Sequence, residues 1–348
     1  MIQHVLTRPG NLEKREVPTP TLEPGDVLLR VGALTLCGSD VRVFTGEKTG
    51  GVQWPTVLGH EFSGEVVQVG SAADDHLLGT HNAVIPWVFC GACPPCRRGQ
   101  SNLCPNVEIF GYQLPGGMSE YVRIPRRAVE NGSLVPVSSD MPAPVAALSE
   151  PAACVFHGHL RCRLNVGSSV LILGGGPIGT LHTKFAFRAG ASRVLVSEPD
   201  AERAARIRGL GAVVVDPIET DVVVAARELT DGEGVDASIV CIGIPQLAAT
   251  AIASTRPGGV VNLFAGFGHR GVGELDLNAI HYNQLDVVGN VDATVSEFYT
   301  AARLIAAGEI EVESMISHTF PLAQAHEALE VARSGRGMKV VIVPDGDR

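Results

Sequence analysis

The sequence predicts an α/β chain, with a doubly wound parallel sheet in its second half and a mainly-β part before it. Three observations predict this. A buried-type strand runs straight into a Gly174-x-Gly176-x-x-Gly179 turn. Strands and helices alternate after Gly167, and short strands broken by proline and glycine fill the stretch from Glu16 to Ile124 without that alternation.

Most of the expected chemistry rests on the turn. Val170 to Leu173 is apolar and partly β-branched, as expected of a strand covered on both faces. Gly174 suits a tight turn, Gly176 lets a backbone approach a pyrophosphate, and Gly179 lets the helix expected over Ile178 to Arg188, just after Pro177, pack close to the sheet. The amides at that helix start are placed to hold phosphates. A second strand, Arg193 to Ser197, ends in Glu198, about twenty residues past the fingerprint, where an acid accepts ribose hydroxyls and repels a 2′-phosphate. NAD is therefore expected over NADP, with the nearby Arg203 keeping NADP open. The competing reading of Glu198 is a solvated charge at a strand end.

Four more strands follow, at Val213 to Val215, Ala237 to Val240, Val260 to Phe264 and Asp286 to Gly289. The earlier part reads as strands at Val27 to Val31, Glu61 to Val69, Ala83 to Val88 and Ser119 to Ile124. Helices are expected at Ser296 to Ala307 and Leu322 to Arg333, before a last strand at Lys339 to Val343. That tail is too short to stand alone and is expected to pack on the first part. The expected domains are residues 1–149 with 291–348, and 150–290.

A chain of 348 residues with 45% hydrophobic and 18% charged residues has material for two ordinary cores. Its formal charge of −10 disfavours nucleic acid and anionic membranes. The start, Met1 to Pro9, lacks the basic flank and long apolar core of a secretory signal, and a cytoplasmic protein is expected. The uncharged run Leu164 to Thr183 contains five glycines and a proline that belong to the nucleotide turn, so it is not read as a membrane span.

Four of the eight cysteines form Cys90-x2-Cys93-x2-Cys96-x7-Cys104. Four thiolates on a short loop close a tetrahedron around Zn2+ and leave no place for a substrate, so this zinc is structural. An iron–sulfur cluster or four free thiols are the alternatives. A second constellation is Cys37-Gly38-Ser39-Asp40, Gly59-His60-Glu61 with Gly64, and Glu150-Pro151. Mixed Cys, His and carboxylate ligands suit a catalytic zinc with an exchangeable position. Taken singly, Cys37 reads as a small buried residue and His60 as a core histidine. Cys154, Cys162 and Cys241 read as packing residues.

In order and spacing, these motifs resemble the zinc-containing medium-chain alcohol dehydrogenases over essentially the whole chain, and Glu150-Pro151 is similar to the polyol branch with its sorbitol and threonine dehydrogenase relatives. The resemblance implies a GroES-like catalytic domain, a Rossmann NAD-binding domain and two zincs per chain. Cys37 and His60 would ligate the catalytic zinc, with Glu61 or Glu150 completing the set directly or through water. It implies a homodimer or homotetramer.

The resemblance further implies hydride transfer from a secondary alcohol to NAD, with Ser39 taking the hydroxyl proton. Ser39 capping a helix that begins near Asp40 is the competing reading. Two departures narrow the match. Arg42 stands where relatives carry a relay histidine, and arginine is not a base in proteins. Asp292-Ala293 replaces an Arg-Tyr pair of sorbitol dehydrogenases, which argues against sorbitol itself and suggests that Asp292 faces an amino group. The expected substrate is a polyol, cyclitol or amino-polyol. Threonine or another 2-amino alcohol is the enzymatic alternative, and a non-catalytic nucleotide-binding protein is the rival of another class.

Overall fold

The structure is a computed structural model that describes residues 1–267 and 273–344. Two compact units divide it, Met1–Ala153 with the segment from Ala293 onward, and Cys154–Asp292.

In the first unit the strands are β1 (Ile2–Arg8), β2 (Asn11–Glu16), β3 (Val27–Thr35), β4 (Glu61–Val69), β5 (His81–Val84), β6 (Trp87–Val88), β7 (Glu108–Ile109), β8 (Tyr121–Ile124) and β9 (Leu134–Val137). The expected strand Ala83 to Val88 is two strands. Pro86 has no N–H to donate, and Ile85 turns to Ser133 while Phe110 donates to the Pro86 carbonyl, so β6 leaves β5 and pairs with β7. The expected strand from Ser119 begins at Tyr121, with Ser119 held in a single bridge to Gln3.

In the second unit the strands are β10 (Ser169–Leu173), β11 (Arg193–Ser197), β12 (Val213–Val215), β13 (Val235–Val240), β14 (Thr255–Leu263) and β15 (Asp286–Gly289). They form one parallel sheet in the order β12-β11-β10-β13-β14-β15, which reverses direction beside β10 as in dinucleotide-binding sheets. Alternation along β10 explains the double winding. Val170 and Ile172 pack with Ala186 and Ile207 on one face, while Leu171 and Leu173 pack with Ala226 and Ile252 on the other. Cys162 is buried in the first of these cores and Cys241 packs against it.

The last residues return to the first unit. Helix Val295–Ala306 is closed by a capping box in which Thr294 and Glu297 bond each other's backbone. The helix expected from Leu322 opens with a short 3-10 turn and becomes α-helical over Ala325–Ser334. Strands β16 (Ile316–Pro321) and β17 (Lys339–Val343) then complete the sheet β16-β17-β3-β4-β5-β9, with β8 also on β3. Among the described residues no helix is long and apolar enough to cross a membrane.

Candidate metal centres and nucleotide turn

One site grows from the place where three strand ends meet. In the β3–β4 pairing Thr35 lies opposite Glu61, and in the β17–β3 pairing Val341 lies opposite Thr35. Lys339 is two residues before Val341, so the period of two puts it on the same face as Thr35 and Glu61. Its Nζ donates to both Glu61 carboxylate oxygens at 2.7 and 2.5 Å, and Thr35 Oγ1 donates to one of them. Lys339 is 3% exposed and Glu61 fully buried. Burial opposes the Lys339 charge, but the nearby anions of Glu61, Cys37 and Glu150 outweigh it and raise the ammonium pKa.

Beyond β3 the chain enters helix Gly38–Thr45, with Cys37 at its N-cap. Ser39 is inside the first turn, so it is not the cap; its Oγ lies 3.5 Å from His60 Nε2. Asp40 is the organising residue. One carboxylate oxygen accepts from the Cys37 N–H at 2.9 Å, and the other lies 3.3 Å from the Gly59 N and 3.2 Å from His60 Nδ1. With Nδ1 engaged, Nε2 is the nitrogen left to ligate. The ligand atoms of Cys37, His60 and Glu61 all lie within 4.8 Å of one another. Glu150, in the first turn of helix Ser149–Cys162, is outside that trio but close enough to Lys339 to act on its charge.

Thiolate, imidazole and carboxylate within one such sphere is a donor set that fits zinc. The sequence motif includes Asp40 without assigning it a role, and Lys339 reads only as the start of the last strand. The available signals were an acid three residues after Cys37, and a lysine opening an otherwise apolar strand, Lys339–Val343. Arg42 sits in the last turn of helix Gly38–Thr45.

The second centre is local. Cys93 Sγ is 3.3 Å from Cys96 Sγ and 3.8 Å from Cys104 Sγ, and all four sulfurs of Cys90, Cys93, Cys96 and Cys104 lie within 4.8 Å of one another. A zinc tetrahedron with bonds of about 2.3 Å has edges of about 3.8 Å, so the donors match the ion. Backbone N–H groups of Ala92 and Cys93 pull the Cys90 thiol down to about 6, while burial and the neighbouring sulfurs push Cys96 up to about 12.

In the second unit, Gly174 takes φ +109, a conformation that side chains resist, and a Cβ on Gly179 would stand 1.8 Å from the Gly174 carbonyl oxygen. Gly176 caps helix Pro177–Arg188 and faces open space, a cradle that a phosphate can approach. Pro177 and Ile178 form the first turn of that helix. Glu198, 4% exposed, accepts from the Gly175 N–H at 2.8 Å and the Asp200 N–H at 2.9 Å. Arg203 stands in the first turn of helix Ala201–Gly209, its N–H bonded to Asp200.

Comparisons with known proteins converge. Residues 23–136 match the alcohol dehydrogenase GroES-like domain, and residues 177–307 match the zinc-binding dehydrogenase family. The chain is 32% identical to L-threonine 3-dehydrogenase of Pyrococcus horikoshii, over 99% of this chain and 98% of that protein. It is 29% identical to sorbitol dehydrogenase of Bacillus subtilis, over 94% and 93%. It is 31% identical to 2-dehydro-3-deoxy-L-galactonate 5-dehydrogenase of Pseudoalteromonas atlantica, over 92% of each. A zinc-binding dehydrogenase from Sinorhizobium meliloti 1021, solved bound to NADP, superposes with a TM-score of 0.91 at 33% identity and 99% coverage of both chains.

Proposed function

Because the chain belongs to the zinc-containing medium-chain alcohol dehydrogenases, using zinc and NAD(P) to oxidise an alcohol, we propose that Cys37, His60 and Glu61 hold its catalytic zinc and that its substrate is a 2-amino-3-hydroxy or related polar secondary alcohol. The clustering of those three ligand atoms carries the site assignment. For the substrate, the threonine dehydrogenase of Pyrococcus horikoshii exceeds the sorbitol dehydrogenase in identity and coverage. Threonine-type alcohols therefore lead, and the polyol reading stands second.

Zinc bound there supplies a Lewis acid that makes a substrate hydroxyl easier to deprotonate, and the nicotinamide supplies the hydride acceptor. The protein's own groups do the rest. Asp40 fixes the tautomer and orientation of His60. Ser39 Oγ, beside His60 Nε2, is placed to take the hydroxyl proton and pass it on. Lys339 and Thr35 hold the Glu61 carboxylate in place beside Cys37 and His60, and Glu150 stands as the alternative carboxylate. Cys90, Cys93, Cys96 and Cys104 hold the structural zinc. Gly174, Gly176, Pro177, Ile178 and Gly179 receive the pyrophosphate. Glu198 faces the ribose and favours NAD, with Arg203 the residue nearest in sequence to receive a 2′-phosphate.

Metal content by mass spectrometry, beside steady-state rates with NAD and with NADP on L-threonine, sorbitol, xylitol and myo-inositol, tests this reading. Two zincs per chain and the highest kcat/KM on L-threonine with NAD are expected. A higher kcat/KM on the polyols overturns the substrate assignment. One zinc per chain with no turnover of any alcohol overturns the site.

A further inference from the structure

Two lysines stand near the catalytic group and differ in what they are paired with. Lys339 is committed to Glu61. Lys48 is not: its ammonium lies 4.0 Å from the centroid of the Tyr112 ring and has no carboxylate partner among the described residues. An aromatic face attracts a cation through its quadrupole, but it carries no net charge, so the ring positions the ammonium without neutralising it.

Both ends of that contact are anchored to the metal group. The Lys48 N–H donates to the Arg42 carbonyl at 2.9 Å, tying it to the helix whose N-cap is Cys37 and whose first turn carries Ser39 and Asp40. Tyr112 is buried, its carbonyl accepts from the Gln53 N–H at 3.0 Å, and its ring centroid lies 5.7 Å from that of His60. The Lys48 ammonium therefore stands no farther from the His60 ring than those two ring distances laid end to end. Lys48 itself is half-buried, which spares an ion pair there part of the screening that bulk water imposes.

We infer that Lys48 binds a carboxylate of the substrate, so that the alcohol oxidised beside Cys37 and His60 is a hydroxy acid. The inference rests on the proposed function and deepens it by naming the group that is read and the residue that reads it. A neutral polyol leaves the ammonium uncompensated, whereas a carboxylate gains a charge-assisted hydrogen bond from one of its three donors. Placement matters as much as charge. The carboxylate and hydroxyl of one acid compete for a single metal, and a second cation beyond His60 gives the carboxylate its own anchor and leaves the hydroxyl to the metal group.

The test compares the zinc-loaded enzyme with Lys48→Met and Lys48→Arg, on L-threonine against L-threonine amide and on L-idonate against sorbitol. Lys48→Met is expected to raise KM for the acids about 10- to 100-fold, with kcat little changed and the neutral partners unaffected. Lys48→Arg is expected to keep most of the affinity. Calorimetric binding of 3-hydroxybutyrate to the zinc-loaded protein reads the same contact without turnover, and Lys48→Met is expected to weaken it by a similar factor. Equal losses on acids and neutral partners, or unchanged binding of 3-hydroxybutyrate, overturn the inference while the dehydrogenase reading stands. Failure to oxidise any alcohol, with Lys48-dependent 3-hydroxybutyrate binding intact, overturns the dehydrogenase reading instead.

Discussion

Asp40 shows how one side chain can organise a site without touching a reacting atom. Its carboxylate is fully buried and spends its lone pairs on the Cys37 amide, the Gly59 amide and His60 Nδ1. Asp40→Asn keeps the shape but replaces one acceptor oxygen with a donor NH2, so either the His60 tautomer or a backbone amide loses its partner. Such changes beside a metal ligand commonly cost about 10- to 100-fold in metal affinity or activity. The expected outcome is a loss of that size in kcat/KM, together with easier removal of the zinc by a chelator. Unaltered zinc retention would show that His60 is oriented without Asp40. Lys339 is the second case. In the zinc-free protein its removal leaves the buried Glu61 carboxylate with Thr35 as its remaining side-chain partner, and breaking such a pair from one side costs about 3–5 kcal/mol. Lys339→Met is therefore expected to lower the urea midpoint of the first unit sharply, and Glu61→Gln added to it to recover most of the loss. A double variant no more stable than the single one would mean that the charge of Glu61 was not the source of the cost.

At the scale of elements, what was legible in the sequence is what is built from neighbours in the chain. The glycine turn, strand β11 with Glu198 directly after it and the four-cysteine loop each complete their geometry within a short segment, so spacing alone exposes them. Glu61 and Lys339 lie 278 residues apart and meet only through the pairing of β17 on β3 and β3 on β4, a register that no local pattern encodes. The competing reading of Ser39 as a helix cap fails for a different reason. Serine's preference for the cap is strong in general, but here Asp40 bonds the Cys37 amide and fixes the helix start two residues earlier. The cysteine loop gives the prediction proper to this scale. Its segment has only short helices, Pro94–Arg97 and the 3-10 turn Ser101–Leu103, and of its cysteines only Cys104 is buried. A segment so poor in apolar packing is held by its metal rather than by a core. Cys104→Ser is expected to drop the bound zinc from two to one per chain and to bring rapid proteolysis between Phe89 and Pro105, with turnover reduced rather than abolished. A protease-resistant loop carrying a single zinc would assign its order to packing instead.

For the molecule as a whole, the second unit carries a pH liability that its chemistry does not require. His159 and His182 are buried in the Rossmann core with ring centroids 5.1 Å apart, and none of their four ring nitrogens has a hydrogen-bond partner. Phe185 and Phe264 line the pair, and the Asn262 Oδ1 nearby is unpartnered as well. Burial pushes His159 down to about 4, and burial together with the neighbouring imidazole pushes His182 well below its ordinary value, so both are neutral in the folded protein. An unfolded chain protonates the same rings near pH 6.5. Below 6.5 the unfolded state therefore binds more protons than the folded one, and each unit of acidification removes up to about 1.4 kcal/mol of stability for each histidine, down to about pH 4 for His159. Above 6.5 the contribution is complete and flat. Urea unfolding of the second unit, followed at pH 7.5 and pH 5, is expected to show a large loss on acidification. His182→Leu, which removes one titrating ring and lets the packing against Phe264 persist, is expected to lose less over the same interval while matching or exceeding the parent at pH 5. If the parent and His182→Leu lose stability in parallel between those pH values, the acid sensitivity arises outside the histidine pair, and the buried imidazoles are then packing groups alone.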